Sequence, residues 1–178
     1  DPTRVFSEET SYLMTDMLRT VITEGTGSTV RSKFKHYGKI PVVGKTGSTQ
    51  DDVDAWFMGY SPDITVGVWA GYDTPATLVK GSGTIRAMTV WSQVMDAVID
   101  IKPELFKTEQ FAKPDNIVRA TVSSVSGKRP SELVTQNKLL VTDLFNKAWL
   151  PKETDDVLMK ANIVHYDGKT DLPQPPTP

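Results

Sequence analysis

The sequence predicts an α+β fold, an antiparallel sheet covered by helices, followed by a small β-rich extension. Three observations carry this. A helix-period apolar stripe opens the chain, three short strands with tight links follow, and a second amphipathic helix closes the block before the sequence changes character near Pro114. Short links favour antiparallel pairing, because parallel strands need a long crossover. Helices flanking such a sheet make a layered α+β unit.

The first helix is expected over 7–24. Ser7 suits the N-cap, and Glu8 and Glu9 suit the positive end of the helix dipole. Leu13, Met14, Met17, Leu18, Val21 and Ile22 recur at helical spacing and are expected to form its core stripe. Gly25 is a natural stop, and 25–29 reads as loop. A strand is expected over 39–49, with Pro41 placing it at an edge. Two more follow at 53–60 and 64–71, joined by Ser61-Pro62-Asp63. In the last of these Ile64, Val66, Val68 and Ala70 share one face, and Thr65, Gly67, Trp69 and Gly71 the other. The second helix, 85–100, carries the stripe Ala87, Met88, Trp91, Val94, Met95 and Val98, and Pro103 ends it. Beyond Pro114, a strand at 117–122 and a turn at Ser126-Gly127-Lys128 begin a β-rich extension over 115–168. A Pro-rich linker or tail follows over 169–178.

Composition excludes several functions. Twenty Lys and Arg against 22 Asp and Glu give a net charge of −2, which supplies no footprint for nucleic acid. Zero cysteines remove disulfides, thiolate catalysis and Cys-ligated zinc. His36 and His165 lie far apart, read as surface residues, and offer no His-rich metal site. No apolar run approaches the roughly 20 residues that span a bilayer. No metal or other cofactor is expected.

Gly44-Lys45-Thr46-Gly47-Ser48-Thr49 concentrates a cation, hydroxyls and a side-chain-free glycine on one strand. Alternation places Lys45, Gly47 and Thr49 on one face, and Thr46 and Ser48 on the other. Gly47 would let a ligand backbone approach closely. Edge amides could stabilise an oxyanion, and the ammonium and hydroxyls could hold a carboxylate. A solvated edge strand that happens to bear a lysine would look much the same, since a tripeptide motif recurs by chance.

The surroundings tip the balance. Lys-Thr-Gly is one of three signature elements of serine β-lactamases and penicillin-binding proteins. The run Val43 to Thr49, followed by Asp54 to Asp73, resembles class A (bifunctional) penicillin-binding proteins, as do the upstream helix and its exit Glu24-Gly25-Thr26-Gly27. The likeness covers roughly 4–112, and 115 to about 165 resembles more loosely the C-terminal extension of Gram-positive members of that family. The resemblance implies the C-terminal portion, 1–114, of a transpeptidase fold shared with serine β-lactamases. It implies D,D-transpeptidation, with peptidoglycan stem peptides and β-lactam antibiotics as ligands, at the outer face of a bacterial cell membrane. The intact protein would carry a membrane anchor and a glycosyltransferase domain. Carried onto this chain, Lys45 supplies positive potential and a hydrogen bond to another motif's hydroxyl. Thr46, Ser48 and Thr49 contact substrate, the Ser48 amide is an oxyanion donor, Gly47 keeps the groove open, and Trp56 borders the cleft. Relatives often carry Thr where this chain has Ser48.

No convincing Ser-x-x-Lys and no Ser-x-Asn is found, so the nucleophile is expected on a missing N-terminal part of the same domain, on this polypeptide or another. The chain alone is then expected to be inactive. A non-catalytic peptide-binding module, and a β-lactamase or D,D-carboxypeptidase of the same fold, are the alternatives; the tract 54–73 favours the transpeptidase. Asp51, Asp52 and Asp54 read as a solvated turn, lacking the glycine and distal Glu of a calcium loop.

Overall fold

The computed structural model describes residues 3–78 and 83–159, with the backbone pairing of 165–166 and 169–170. Two compact units divide the chain, Asp1–Pro114 and Asp115–Pro178. Among the described residues, no helix is long and apolar enough to cross a membrane.

The first unit opens with helix α1, Glu8–Thr23, capped as the sequence predicts by Ser7, whose side chain accepts from the Thr10 amide. A one-turn helix α2, Thr29–Lys33, follows the loop in a stretch to which the sequence reading gave no element. Strands β1 (Val43–Ser48), β2 (Ala55–Tyr60) and β3 (Thr65–Ala70) form an antiparallel sheet in that order, leaving β1 at an edge. Strand β1 begins four residues later than expected, since Lys39–Val42 lie outside it. The β2–β3 turn closes on Ser61, whose hydroxyl accepts from the Asp63 and Ile64 amides. Helix α3, Gly83–Ile101, packs on all three strands.

Register fixes the two faces. Thr46 lies opposite Phe57 and Ser48 opposite Ala55, on the face that α3 covers. Lys45 lies opposite Met58 and Gly47 opposite Trp56, on the other. Phe57, Met88, Trp91, Met95, Phe34, Val30 and Ile22 belong to one buried cluster, with the Phe57 and Trp91 rings edge to face at 5.3 Å. Fully burying such side chains contributes about 1.5–3 kcal/mol each.

The helical stripes differ from expectation in part. Met14 and Met17 on α1 are half exposed, while Thr15 and Ile22 are buried. The Thr15 hydroxyl sets this rotation by bonding Tyr60 Oη at 2.9 Å. On α3, Val94 faces outward, and Ser92, Asp96 and Ile99 turn in. Asp96 tolerates burial because it accepts from the Lys35 amide and faces His36 Nδ1 at 3.0 Å. His36, expected at the surface, is therefore tied to α3.

The second unit pairs β4 (Ile117–Ser123) with β5 (Leu140–Asn146) and inserts the short helix α4 (Glu132–Gln136), which the sequence reading lacked. Ser131 caps α4 by accepting from the Val134 amide. Two-residue strands β6 (His165–Tyr166) and β7 (Lys169–Thr170) pair antiparallel. The Pro-rich tail beyond Thr170 lies outside the described residues.

Candidate active site

The strand picked out by the sequence sits on the open edge of the sheet. Lys45 and Ser48 are exposed, and Thr46 and Gly47 are half-buried. Lys45 Nζ donates to the Thr46 carbonyl at 2.7 Å and reaches the Thr46 hydroxyl at 3.4 Å. Ammonium and hydroxyl thus converge at one point of the edge. Gly47 is backed by Trp56, where an added Cβ would lie 3.3 Å from the Trp56 Cβ. Trp56 stands half exposed beside Trp69, ring centroids 6.4 Å apart. A recess of about 100 Å³ opens at the end of β1, lined by Ser48, Asp54, Ala55, Gly83 and Thr84.

Thr49 is engaged differently from the others. Its hydroxyl donates to Asp54 Oδ2 at 3.0 Å and accepts from the Asp54 amide at 2.9 Å. Asp54 Oδ1 accepts from Trp69 Nε1 at 2.9 Å. The carboxylate read as part of a solvated turn is therefore a bracket joining the ends of β1, β2 and β3. Between its arms, Asp51 and Asp52 take left-handed backbone conformations at φ 60° and 50°. Aspartate visits that region more readily than most residues, and the Leu78 amide fixes it by donating to the Asp52 carbonyl at 2.8 Å. Among the described residues no cluster of His, Asp and Glu could hold a metal ion.

A residue that sequence reasoning passed over also joins the strand. The Thr26 hydroxyl lies 2.9 Å from the Thr46 hydroxyl. The glycines beside it are the signal that could have found it. The Gly25 and Gly27 amides donate to the Thr20 and Val21 carbonyls, folding the loop back on α1. A Cβ at Gly25 would sit 3.0 Å from the Val21 backbone, and one at Gly27 3.1 Å from the Val21 carbonyl oxygen. Thr26 is the side chain this tight exit leaves pointing at β1.

Ser32-Lys33-Phe34-Lys35 satisfies Ser-x-x-Lys literally, but not in space. α2 ends at Lys33, and Phe34 is extended at φ −88° and ψ 111°. The Ser32 hydroxyl donates to the Thr29 carbonyl at 3.0 Å, and the Lys35 amide is held by Asp96. Serine and lysine therefore do not share a helical face.

Comparison with known proteins fits this geometry. The chain belongs to the penicillin-binding protein transpeptidase family: the family described as "Penicillin binding protein transpeptidase domain" matches residues 1–95, more than half of the chain. "Penicillin-binding protein 1A, C-terminal domain" matches residues 113–160. Among individual proteins, the chain is similar to Penicillin-binding protein 1A of Clostridium novyi, 28% identical over 94% of this chain and 18% of the relative. It is 35% identical to that of Pseudomonas aeruginosa, over 70% of this chain and 14% of the relative. The crystal structure of Penicillin-Binding Protein 1A from Haemophilus influenzae shares the fold, with a TM-score of 0.66 at 23% identity, over 85% of this chain and 22% of that one. The chain thus spans about a fifth or less of these relatives' lengths.

Proposed function

We propose that this chain supplies one wall of a D,D-transpeptidase site whose serine nucleophile and general base lie on preceding sequence of the same domain. The observation that carries the reading is the Lys45 ammonium reaching the Thr46 hydroxyl on an open sheet edge, with Ser48 exposed two residues further along the same strand. The recess beside Ser48, about 100 Å³, is far too small for a stem peptide. The groove is completed from the other side.

In the reaction, the serine oxygen attacks the carbonyl of the penultimate D-Ala. The C–N bond breaks and the terminal D-Ala leaves as the amine, having gained a proton. A second stem peptide's amine then attacks the ester, forming the cross-link and releasing the serine. Lys45 makes the groove electropositive for the substrate's terminal carboxylate, and Thr46 and Ser48 donate their hydroxyl protons to it. The Ser48 amide donates to the developing oxyanion, a contribution of about 2.7–4 kcal/mol for a single donor. Gly47 leaves the substrate backbone free to lie along β1, with Trp56 as a border. β-Lactams acylate the same serine. The site works at the outer face of the bacterial membrane, in a protein that also carries an anchor and a glycosyltransferase domain. Thr49 serves this reading by holding Asp54 rather than by touching substrate.

The test is fluorescent-penicillin labelling of the full-length protein. Wild type labels, and Lys45→Ala lowers the labelling rate by about a hundredfold or more. Unchanged labelling in Lys45→Ala overturns the assignment. A wild type that never labels turns the strand into a peptide-binding wall without chemistry.

A further inference from the structure

Thr46 has one hydroxyl proton to give and two lone pairs to receive. In the proposed reaction that proton must go to the substrate carboxylate. A free hydroxyl rotor would divide its time between that acceptor, water and neighbouring carbonyls. Here the Thr46 hydroxyl oxygen has two polar neighbours: Lys45 Nζ, a donor at 3.4 Å, and the Thr26 hydroxyl at 2.9 Å, a pair in which either oxygen can donate. With Thr26 donating, the Thr46 proton has only the outward direction left.

We propose that Thr26 is a positioning residue for the transpeptidase site. It donates to Thr46 Oγ1 and so commits the Thr46 proton to the carboxylate of the incoming peptide or β-lactam. The inference rests on the transpeptidase reading above and deepens it. Two independent features support the assignment. The loop bearing Thr26 is drawn onto α1 by the Gly25 and Gly27 amide bonds, so the donor is held in place. Neither glycine can carry a side chain without pressing on Val21, which keeps the loop at that distance. Thr26 touches no reacting atom; it acts through Thr46.

The experiment uses the full-length protein and one β-lactam in two forms, the free acid and its methyl ester. Acylation rate constants are measured for wild type, Thr26→Val, Thr26→Ser, Thr46→Val and the Thr26→Val/Thr46→Val pair, with melting temperatures alongside. Thr26→Val is expected to slow acylation by the free acid about tenfold, the scale of one net hydrogen bond, and to leave the ester within about twofold. Thr26→Ser, which keeps the donor, restores the rate. The double variant is no slower than Thr46→Val alone, as expected when two residues act through one contact. Equal losses on acid and ester, failure of Thr26→Ser to rescue, or additive losses in the double variant would each overturn the proposal and assign Thr26 to packing. A wild-type rate in Thr26→Val overturns it while leaving the transpeptidase reading standing. Absence of acylation in wild type removes that reading, and this one with it.

Discussion

Asp54 holds three polypeptide segments with one side chain. Its two oxygens take the Thr49 hydroxyl and the Trp69 indole proton, and its own amide returns to Thr49. Ser48 directly precedes Thr49, and pairs with Ala55, which directly follows Asp54. The bracket therefore sets the register at which Ser48 is presented. Asp54→Ala should cost about 0.5–1.5 kcal/mol, the net worth of hydrogen bonds whose freed donors water can reach. Urea unfolding measures it, and Asp54→Asn should recover most of the loss because it keeps an acceptor for Trp69. A loss below a few tenths of a kcal/mol would show the bracket to be incidental. That residues 44–48 lie on an edge strand was legible in the sequence, because their polar chemistry is concentrated on neighbouring positions of a β-type segment. Asp54 and Thr26 were not, since each acts on a partner 5 to 20 residues away, and sequence alone does not say which carboxylate or hydroxyl a turn will aim inward.

Helix α3 is the element on which the sheet depends. Trp91 is fully buried against Phe57 and Phe34, and its indole proton reaches the Val66 carbonyl at 3.1 Å. Trp91→Ala should destabilise the first unit by about 3–5 kcal/mol through lost burial and the cavity left behind. Trp91→Phe should cost less, because the ring contacts survive. Chemical denaturation with matched slopes is the measurement, and an effect under 1 kcal/mol would contradict the packing described. The existence and type of the long elements followed from apolar spacing. Their rotation about the axis did not: Thr15 and Asp96 face inward because each finds a polar partner across the fold, which hydropathy cannot register. The short helices α2 and α4 escaped for a different reason, since five residues are too few to display a period.

At the scale of the whole molecule, the second unit adds a buried carboxylate to its apolar residues Ile117, Val122 and Val134. Asp155 is almost fully buried and accepts from the Ser126 hydroxyl and the Val157 amide. The hydroxyl bonds, Ser126 foremost and then Ser123, hold its carboxyl below the usual carboxylate range. A group whose folded value is depressed adds stability above its unfolded value and loses it as pH falls toward the folded one. The melting transition of this unit should therefore fall progressively below about pH 5, and Asp155→Asn should flatten the slope. A pH-independent midpoint down to about pH 2 would contradict this. Lys128 works at the opposite end: hydrogen bonds to Asp156 and Glu153 raise its ammonium above the ordinary lysine value, so its contribution fades only in strong alkali.

The placement of the four indoles has an optical consequence. Trp91 is sealed from solvent, Trp56 stands half exposed beside Gly47 with Trp69, also half exposed, next to it, and Trp149 in the second unit is 81% exposed. Emission from the chain is therefore expected to be layered by exposure, with a blue component from Trp91, an intermediate one from Trp56 and Trp69, and a red one from Trp149. An aqueous quencher should remove them from the most exposed inward, and a β-lactam bound along β1 as proposed should dim the Trp56 and Trp69 component alone.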